Sequence, residues 1–300
     1  MTYSADISNL SYFVALDDRF DICSEILGSS SQPTAADREQ AADLKRIVFD
    51  GITSSIENGI AKSSIGLWAY SDLGESVLLR AKAMSMTTAS SPGSGAHSLG
   101  RLNVDYTAVQ LNLNPDGPKE AREELLSRLK IVSDTARNES IPLMIELDTI
   151  PTAAQIEIYG THSDARGILL IMAVQQLQDA GVHPSIWAFE PADDISFIEA
   201  IAAQANLDDR GSTVLLVIAD QLATGKICNT VSETEKNTVM LAARTLGISG
   251  VLIGPGVYFR PLLQLNEGII ERDEAVASIA GHLGDINEIF EKSRTTSEVL

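Results

Sequence analysis

Seven carboxylates stand at or just past the carboxyl ends of short apolar runs: Asp17, Asp18, Asp72, Glu146, Asp148, Glu190 and Asp220. Asn112 and Gly254 occupy equivalent ends, and Arg19 is the one cation among them. Carboxylates crowded into one cleft raise each other's proton affinity unless a cation or hydrogen bonds intervene. Three uses of such a set compete: oxygen ligands for a hard divalent metal, partners for a cationic or polyol ligand, or hydrogen bonds to backbone and water. As catalysts, Asp17, Asp72, Glu146, Asp148 and Glu190 would serve as acid/base groups or as ligands in a metal-assisted lyase. An amine nucleophile is scarce. Lys45, Lys82, Lys119, Lys130, Lys236 and Lys292 fall in or beside helical patterns and are expected to be solvated, and Lys62 precedes an apolar run. Only Lys226, in Ala223-Thr224-Gly225-Lys226, follows a run on the same side as the acids.

The elements that must position these groups are the runs themselves. Tyr12 to Asp17, Ser64 to Tyr70, Met84 to Ser90, Tyr106 to Asn112, Leu143 to Asp148, Ile186 to Glu190, Thr213 to Asp220 and Gly250 to Pro255 recur at fairly even spacing. They are continuous rather than alternating, as expected of strands covered on both faces. Helical patterns separate them. One starts at the capping sequence Thr34-Ala35-Ala36-Asp37 and runs to about Glu57, and others span 74–82, 119–138, 163–180, 193–205, 232–246 and 272–292. Gly181 and Gly247 stand where C-terminal caps are expected. Eight βα units predict an α/β chain folded as a (β/α)8 TIM barrel, with chemistry at the carboxyl ends of the strands. One domain is expected over 1–300, with 1–10 and 294–300 frayed, and Ser90 to Gly100 (SSPGSGAHSLG) is the natural loop over the mouth.

Composition narrows the partners. With 22 Lys and Arg against 41 Asp and Glu, the formal net charge is −19. That field repels nucleic acid and anionic membranes, and no segment has the ~18 apolar residues of a membrane span. Without a leader-like N-terminus or paired cysteine spacing, Cys23 and Cys228 read as reduced thiols in a cytoplasmic protein. No cofactor motif is present, a small molecule is the expected partner, and a homo-oligomer is compatible with the composition. His97 and His162 read as exposed polar groups, His183 as a residue of the turn before the sixth strand, at the barrel bottom and away from the chemistry, and Trp68 and Trp187 as core.

Several blocks resemble one family from Tyr12 to Phe290. Ala15-Leu16-Asp17-Asp18-Arg19 is similar to a motif A-F-D-H-R, and the segment from Lys45 to Gly51 to K-x-x-I-x-x-G. Asp105-Tyr106 through Leu113-Asn114-Pro115 resembles P-D-F-V-K-V-L-V-R-Y-N-P, and Leu143 to Leu147 an F-E-L-L block. Leu177 to Val182 with Ile186-Trp187-Ala188-Phe189-Glu190 resembles L-x-x-A-G-V-x-P-D-x-W-K-I-E. Gly250 to Pro255 with Val257-Tyr258-Phe259 resembles G-F-x-V-G-R-T-x-W. The family is the class I aldolase group containing the 2-deoxy-5-keto-gluconic acid 6-phosphate aldolase domain, with tagatose 1,6-bisphosphate aldolases as more distant relatives.

The resemblance implies an aldolase-type barrel acting through a lysine Schiff base, which needs an amine of lowered pKa at a strand end. The departures fall on that chemistry. The family's two lysines align with Ala108 and Ala188, its fourth-strand arginine with Asn112, its eighth-strand arginine with Pro255 and the histidine of the first motif with Asp18. The seventh-strand L-G-R-G block is Val217-Ile218-Ala219-Asp220. The expectation is therefore a noncatalytic aldolase homologue that binds a small, uncharged ligand or a partner protein. The alternative is a carbohydrate-related lyase or aldolase with metal- or carboxylate-assisted chemistry.

Overall fold

The computed structural model describes residues 9–16, 21–29, 32–91, 103–191, 194–207, 213–219 and 231–297, without the side chains of Ser71, Asp72, Thr296 and Ser297. Eight parallel strands close into a barrel in sequence order: β1 Tyr12–Leu16, β2 Ile65–Tyr70, β3 Thr87–Ser91, β4 Tyr106–Asn112, β5 Leu143–Asp148, β6 Ile186–Phe189, β7 Val214–Ala219 and β8 Gly250–Ile253. The expected (β/α)8 architecture is the one observed. The third strand starts later than the apolar run suggested. Met84 ends the preceding helix and Ser85 takes φ 58°, so the apolar 84–86 segment is a turn rather than a strand.

The helices are α1 Ile22–Glu25, α2 Ala35–Glu57, α3 Ser71–Ala83, α4 Lys119–Asn138, α5 Ala153–Tyr159, α6 His162–Asp179, α7 Ile195–Ala205, α8 Glu233–Arg244, α9 Phe259–Asn266 and α10 Arg272–Ser297. Thr34, Thr152 and Thr161 each start a helix with a capping box. The threonine hydroxyl accepts from the third helical N–H, and that residue's side chain accepts from the threonine N–H, so two otherwise orphaned donors are satisfied at each start. Gly181 and Gly247, at φ 78° and 85°, occupy the left-handed positions expected after α6 and α8. Helix α10 continues through Ser297, so the tail expected from Arg294 is helical as far as 297. Leu10, expected in a frayed N-terminus, is buried against the barrel interior.

Two cores follow from strand alternation. Outward residues such as Val14, Leu67, Ile145, Trp187, Phe189, Leu215 and Val251 pack beneath the helices. Inward residues form a separate cluster, including Phe13, Ala15, Trp68, Ala89, Tyr106, Ala108, Met144, Ile186, Ala188, Leu216, Ile218 and Leu252. Gly66 leaves room for the Phe13 ring, whose nearest atom would lie 2.8 Å from a Cβ at that position. The seam between β8 and β1 is tighter still. A Cβ on Gly250 would lie 2.0 Å from the Ser11 carbonyl oxygen, so only glycine lets the first and last strands meet there. Helix α10 covers this side, with Ile279 seated where Gly51 of α2 has no side chain and a buried His282–Glu235 contact of 3.1 Å joining it to α8.

Candidate functional site

Inward-facing residues change character along each strand, and the change defines a mouth. On β4 the sequence of inward positions is Tyr106, Ala108, Gln110 and Asn112; the first two are buried and the last two exposed. On β5 it is Met144, Glu146 and Asp148, and on β6 it is Ile186, Ala188 and then Glu190 just past the strand. Glu146 is the only charged residue among these that lies deep, at 3% exposure. Its Oε1 accepts from the Gln110 Nε2 at 3.2 Å, and strand pairing sets it beside Gln110 on one side and Ala188 on the other. A buried carboxylate requires hydrogen bonds to offset lost hydration, and Gln110 supplies one from a side chain that also faces the open mouth.

Ala108 and Ala188 are fully buried in the interior cluster. Each projects a single methyl into the barrel interior. Trp68, also inward, donates from its ring N–H to the Ser91 hydroxyl at 3.0 Å, so the β2–β3 side of the interior carries a second polar contact.

The other sequence-selected residues divide. Asp148 sits at the β5 end, where its Oδ1 accepts from the Thr149 N–H at 2.7 Å. Asn112 is exposed at the β4 end. Gly254 is buried with an extended backbone and opens a short 3-10 turn over Pro255–Val257. That turn is followed by Tyr258, whose hydroxyl donates to the Ala15 carbonyl at 3.0 Å and so fixes the end of β1. Asp17, Asp18, Arg19, Asp220, Lys226, His97 and Cys228 lie outside the described residues, as does most of the 90–100 loop, and the Asp72 side chain is likewise not described. His183 is exposed at the opposite, amino-terminal end of the barrel, and His162 is the first residue of α6. Both tryptophans are core, as expected. Among the described residues, no three of His, Cys, Asp and Glu lie close enough to hold a metal ion together, so Glu146, Asp148 and Glu190 do not by themselves form such a site.

Two cations depart from expectation. Lys45 is 2% exposed, not solvated: its Nζ passes through the outer core and donates to the Leu16 carbonyl at 3.1 Å, at the carboxyl end of β1. Lys82 is also partly covered and pairs with Asp105 at 2.8 Å, an acid that in turn accepts from the Thr88 N–H and hydroxyl between β3 and β4. A cation that does reach the mouth is Arg166. It lies in α6 and brings its guanidinium to 3.7 Å from the Glu190 carboxylate at the β6 end. Sequence reading missed it because it is not in a strand-end segment. The Thr161–Asp164 capping box was the available signal, since it fixes the start of α6 and puts Arg166 just over one turn in, on the mouth side.

The loops that carry these ends are themselves braced. Asn114, after β4, and Gln155, in α5, exchange amide hydrogen bonds at 2.8 and 3.0 Å, and Gln155 also donates to Asp116 at 3.1 Å. Asn114 donates further to the Ile150 carbonyl at 3.0 Å. These bonds tie the β4 and β5 loops together on the side of the mouth nearest Glu146. Acidic caps add charge there. Asp164 and Asp194, which accept from backbone N–H groups at the starts of α6 and α7, are held below the usual carboxylate range by those bonds.

Among solved structures, a fructose-bisphosphate aldolase from Slackia heliotrinireducens DSM 20476 is similar, with a TM-score of 0.53 and 13% identity over 91% of this chain and 86% of that one. At that identity the likeness is one of fold: the barrel is aldolase-like. No protein-family model matches the sequence, and no curated protein matches it. No helix among the described residues is long and apolar enough to cross a membrane.

Proposed function

We propose that this chain is an aldolase-like barrel that has lost Schiff-base chemistry on β4 and β6 and uses its mouth to bind a small polar ligand. The observation that carries the reading is a deeply buried Glu146 paired with Ala188 on β6 and with Gln110 on β4, where Ala108 is the buried inward residue below Gln110. A carbonyl substrate entering beside Glu146 meets methyl groups where an attacking amine would have to stand, and covalent catalysis of this type has no substitute for that amine. What remains is recognition. Glu146 accepts, Gln110 and Asn112 both donate and accept, and Asp148 and Glu190 add acceptors at the rim. That set is complementary to a ligand rich in hydroxyl groups. Lys45 does not replace the lost lysines, because its amine is committed to the Leu16 carbonyl on the outer side of the barrel wall.

Borohydride reduction of the full chain in the presence of dihydroxyacetone phosphate tests the first half of the reading. No covalent adduct is expected by intact-mass spectrometry. A lysine-linked adduct, at Lys226 or anywhere else, would overturn it.

A further inference from the structure

Arg166 is an incompletely satisfied cation at the mouth. Its side chain is only 25% exposed, its Nε is buried and has no hydrogen-bond partner, and its contact with Glu190 is an ion pair at 3.7 Å, longer than a hydrogen bond. Buried donors are nearly always paired, and arginine in particular is a planar fork suited to accept an oxyanion on two donors at once. Here it has been carried to the barrel mouth by a helix and left short of an acceptor, in a chain whose net charge of −19 favours acids almost everywhere else. Its neighbour Glu190 does not complete the fork. A partner at 3.7 Å is close enough to lower the cost of burying the cation, and distant enough to be exchanged for a better-placed anion.

We infer that Arg166 is the anion-recognition group of this mouth, and that the ligand carries a carboxylate or phosphoryl group in addition to hydroxyls. The inference rests on the reading of the mouth as a ligand site. It changes the ligand class expected from sequence, from uncharged to anionic at one end. It also assigns a division of labour: Arg166 takes the charged end near β6, while Glu146, Gln110 and Asn112 take hydroxyls near β4 and β5.

Titration calorimetry of the full chain with ribitol, D-ribonate and ribitol 5-phosphate tests this, since the three share a polyol body and differ in the charged group. Either anion, or both, should bind at least about tenfold more tightly than ribitol, as expected for charge-assisted hydrogen bonds; which anion wins identifies carboxylate or phosphate. Arg166→Gln should erase the preference, Arg166→Lys should keep part of it, and Glu190→Gln should enlarge it by removing the competing carboxylate. Raising salt should weaken the preference in the parent and leave Arg166→Gln unchanged. Equal affinity for all three, an unaffected preference in a folded Arg166→Gln, or no binding by any of them would overturn the inference. Charge-blind binding of ribitol and its anions would leave the mouth as a ligand site and remove only the role of Arg166. A borohydride adduct would instead overturn the loss of Schiff-base chemistry.

Discussion

The two ends of the barrel interior are built from the same strands and do opposite things. At the base stand Phe13, Tyr106, Met144, Ile186 and Leu252, all large and buried. One inward position further along, β1, β4 and β6 switch to alanine, at 15, 108 and 188, while β5 goes directly to Glu146; Gln110, Asn112, Asp148, Glu190 and, after Ala89, Ser91 lie beyond. The base fills space, as the layered interior of such barrels requires. The alanine layer withdraws side-chain volume, and the polar layer faces what enters. A residue's distance along its strand therefore indicates whether a substitution will register as lost stability or as altered recognition.

The contrast is sharpest at Phe13. Truncation to alanine there should cost about 3–5 kcal/mol, read from urea unfolding, while the affinity of the remaining folded protein for a polyol ligand stays as it was. If ligand affinity collapsed with the packing intact, the separation of base from mouth would be wrong. Glu146→Gln probes the other end. Its shape is kept and its pairing with Gln110 can be retained, so stability should change by less than about 1 kcal/mol, whereas ligand affinity should fall about tenfold with the loss of a charged acceptor. A large stability loss with unaltered binding would make Glu146 a packing residue.

A smaller effect distinguishes the base by pH. Burial first, and the charge of Asp105 second, raise the Tyr106 phenol from its ordinary value of 10.0 to about 12, and burial raises Tyr12 further still. A folded-state value above the unfolded one means that the folded chain holds the proton more tightly. The associated stability is complete below pH 10 and falls as pH rises towards 12. Urea midpoints measured between pH 9 and 11 should fall in the parent and fall less steeply in Tyr106→Phe; parallel slopes would show that Tyr106 is not responsible. The least effect is expected at the helix starts around the mouth. Thr161→Ala removes the hydroxyl that caps α6 and should cost about 1 kcal/mol. If Arg166 depends on that helix start for its position, the same variant should also weaken the anion preference.

Most of the fold was legible because apolar runs and helix caps are local signals. The strands, the Thr34 cap, Gly181 and the long amphipathic α4 lie where periodicity put them. The third strand was read too early because Met84 and Met86 look like strand residues, and the turn at Ser85 is decided by backbone geometry that composition does not encode. Helix α5 passed unread although its Thr152–Gln155 box was visible, because seven residues are too few to show a period. Lys45 was misread for a different reason: it shares the buried stripe of Ala41, Leu44 and Val48, and a lysine in such a stripe has its amine inside. For Arg166 the Thr161–Asp164 capping box marks only the helix start and hence the end of the barrel, not the partner. The role of Arg166 depends on where β6 ends relative to a helix two dozen residues earlier, which only the closed barrel determines.

That closure has a temporal side. The Tyr258 hydroxyl and the Ala15 carbonyl it holds are separated by 243 residues, and β8, which completes the ring beside β1, lies at 250–253. Contacts of such long range are slow to form. Until the last strand is made, β1 through β7 form at most an open sheet with two bare edges, and bare edges invite pairing with other chains. Four residues, one of them a glycine that tolerates no Cβ, thus decide when this chain ceases to be prone to aggregation.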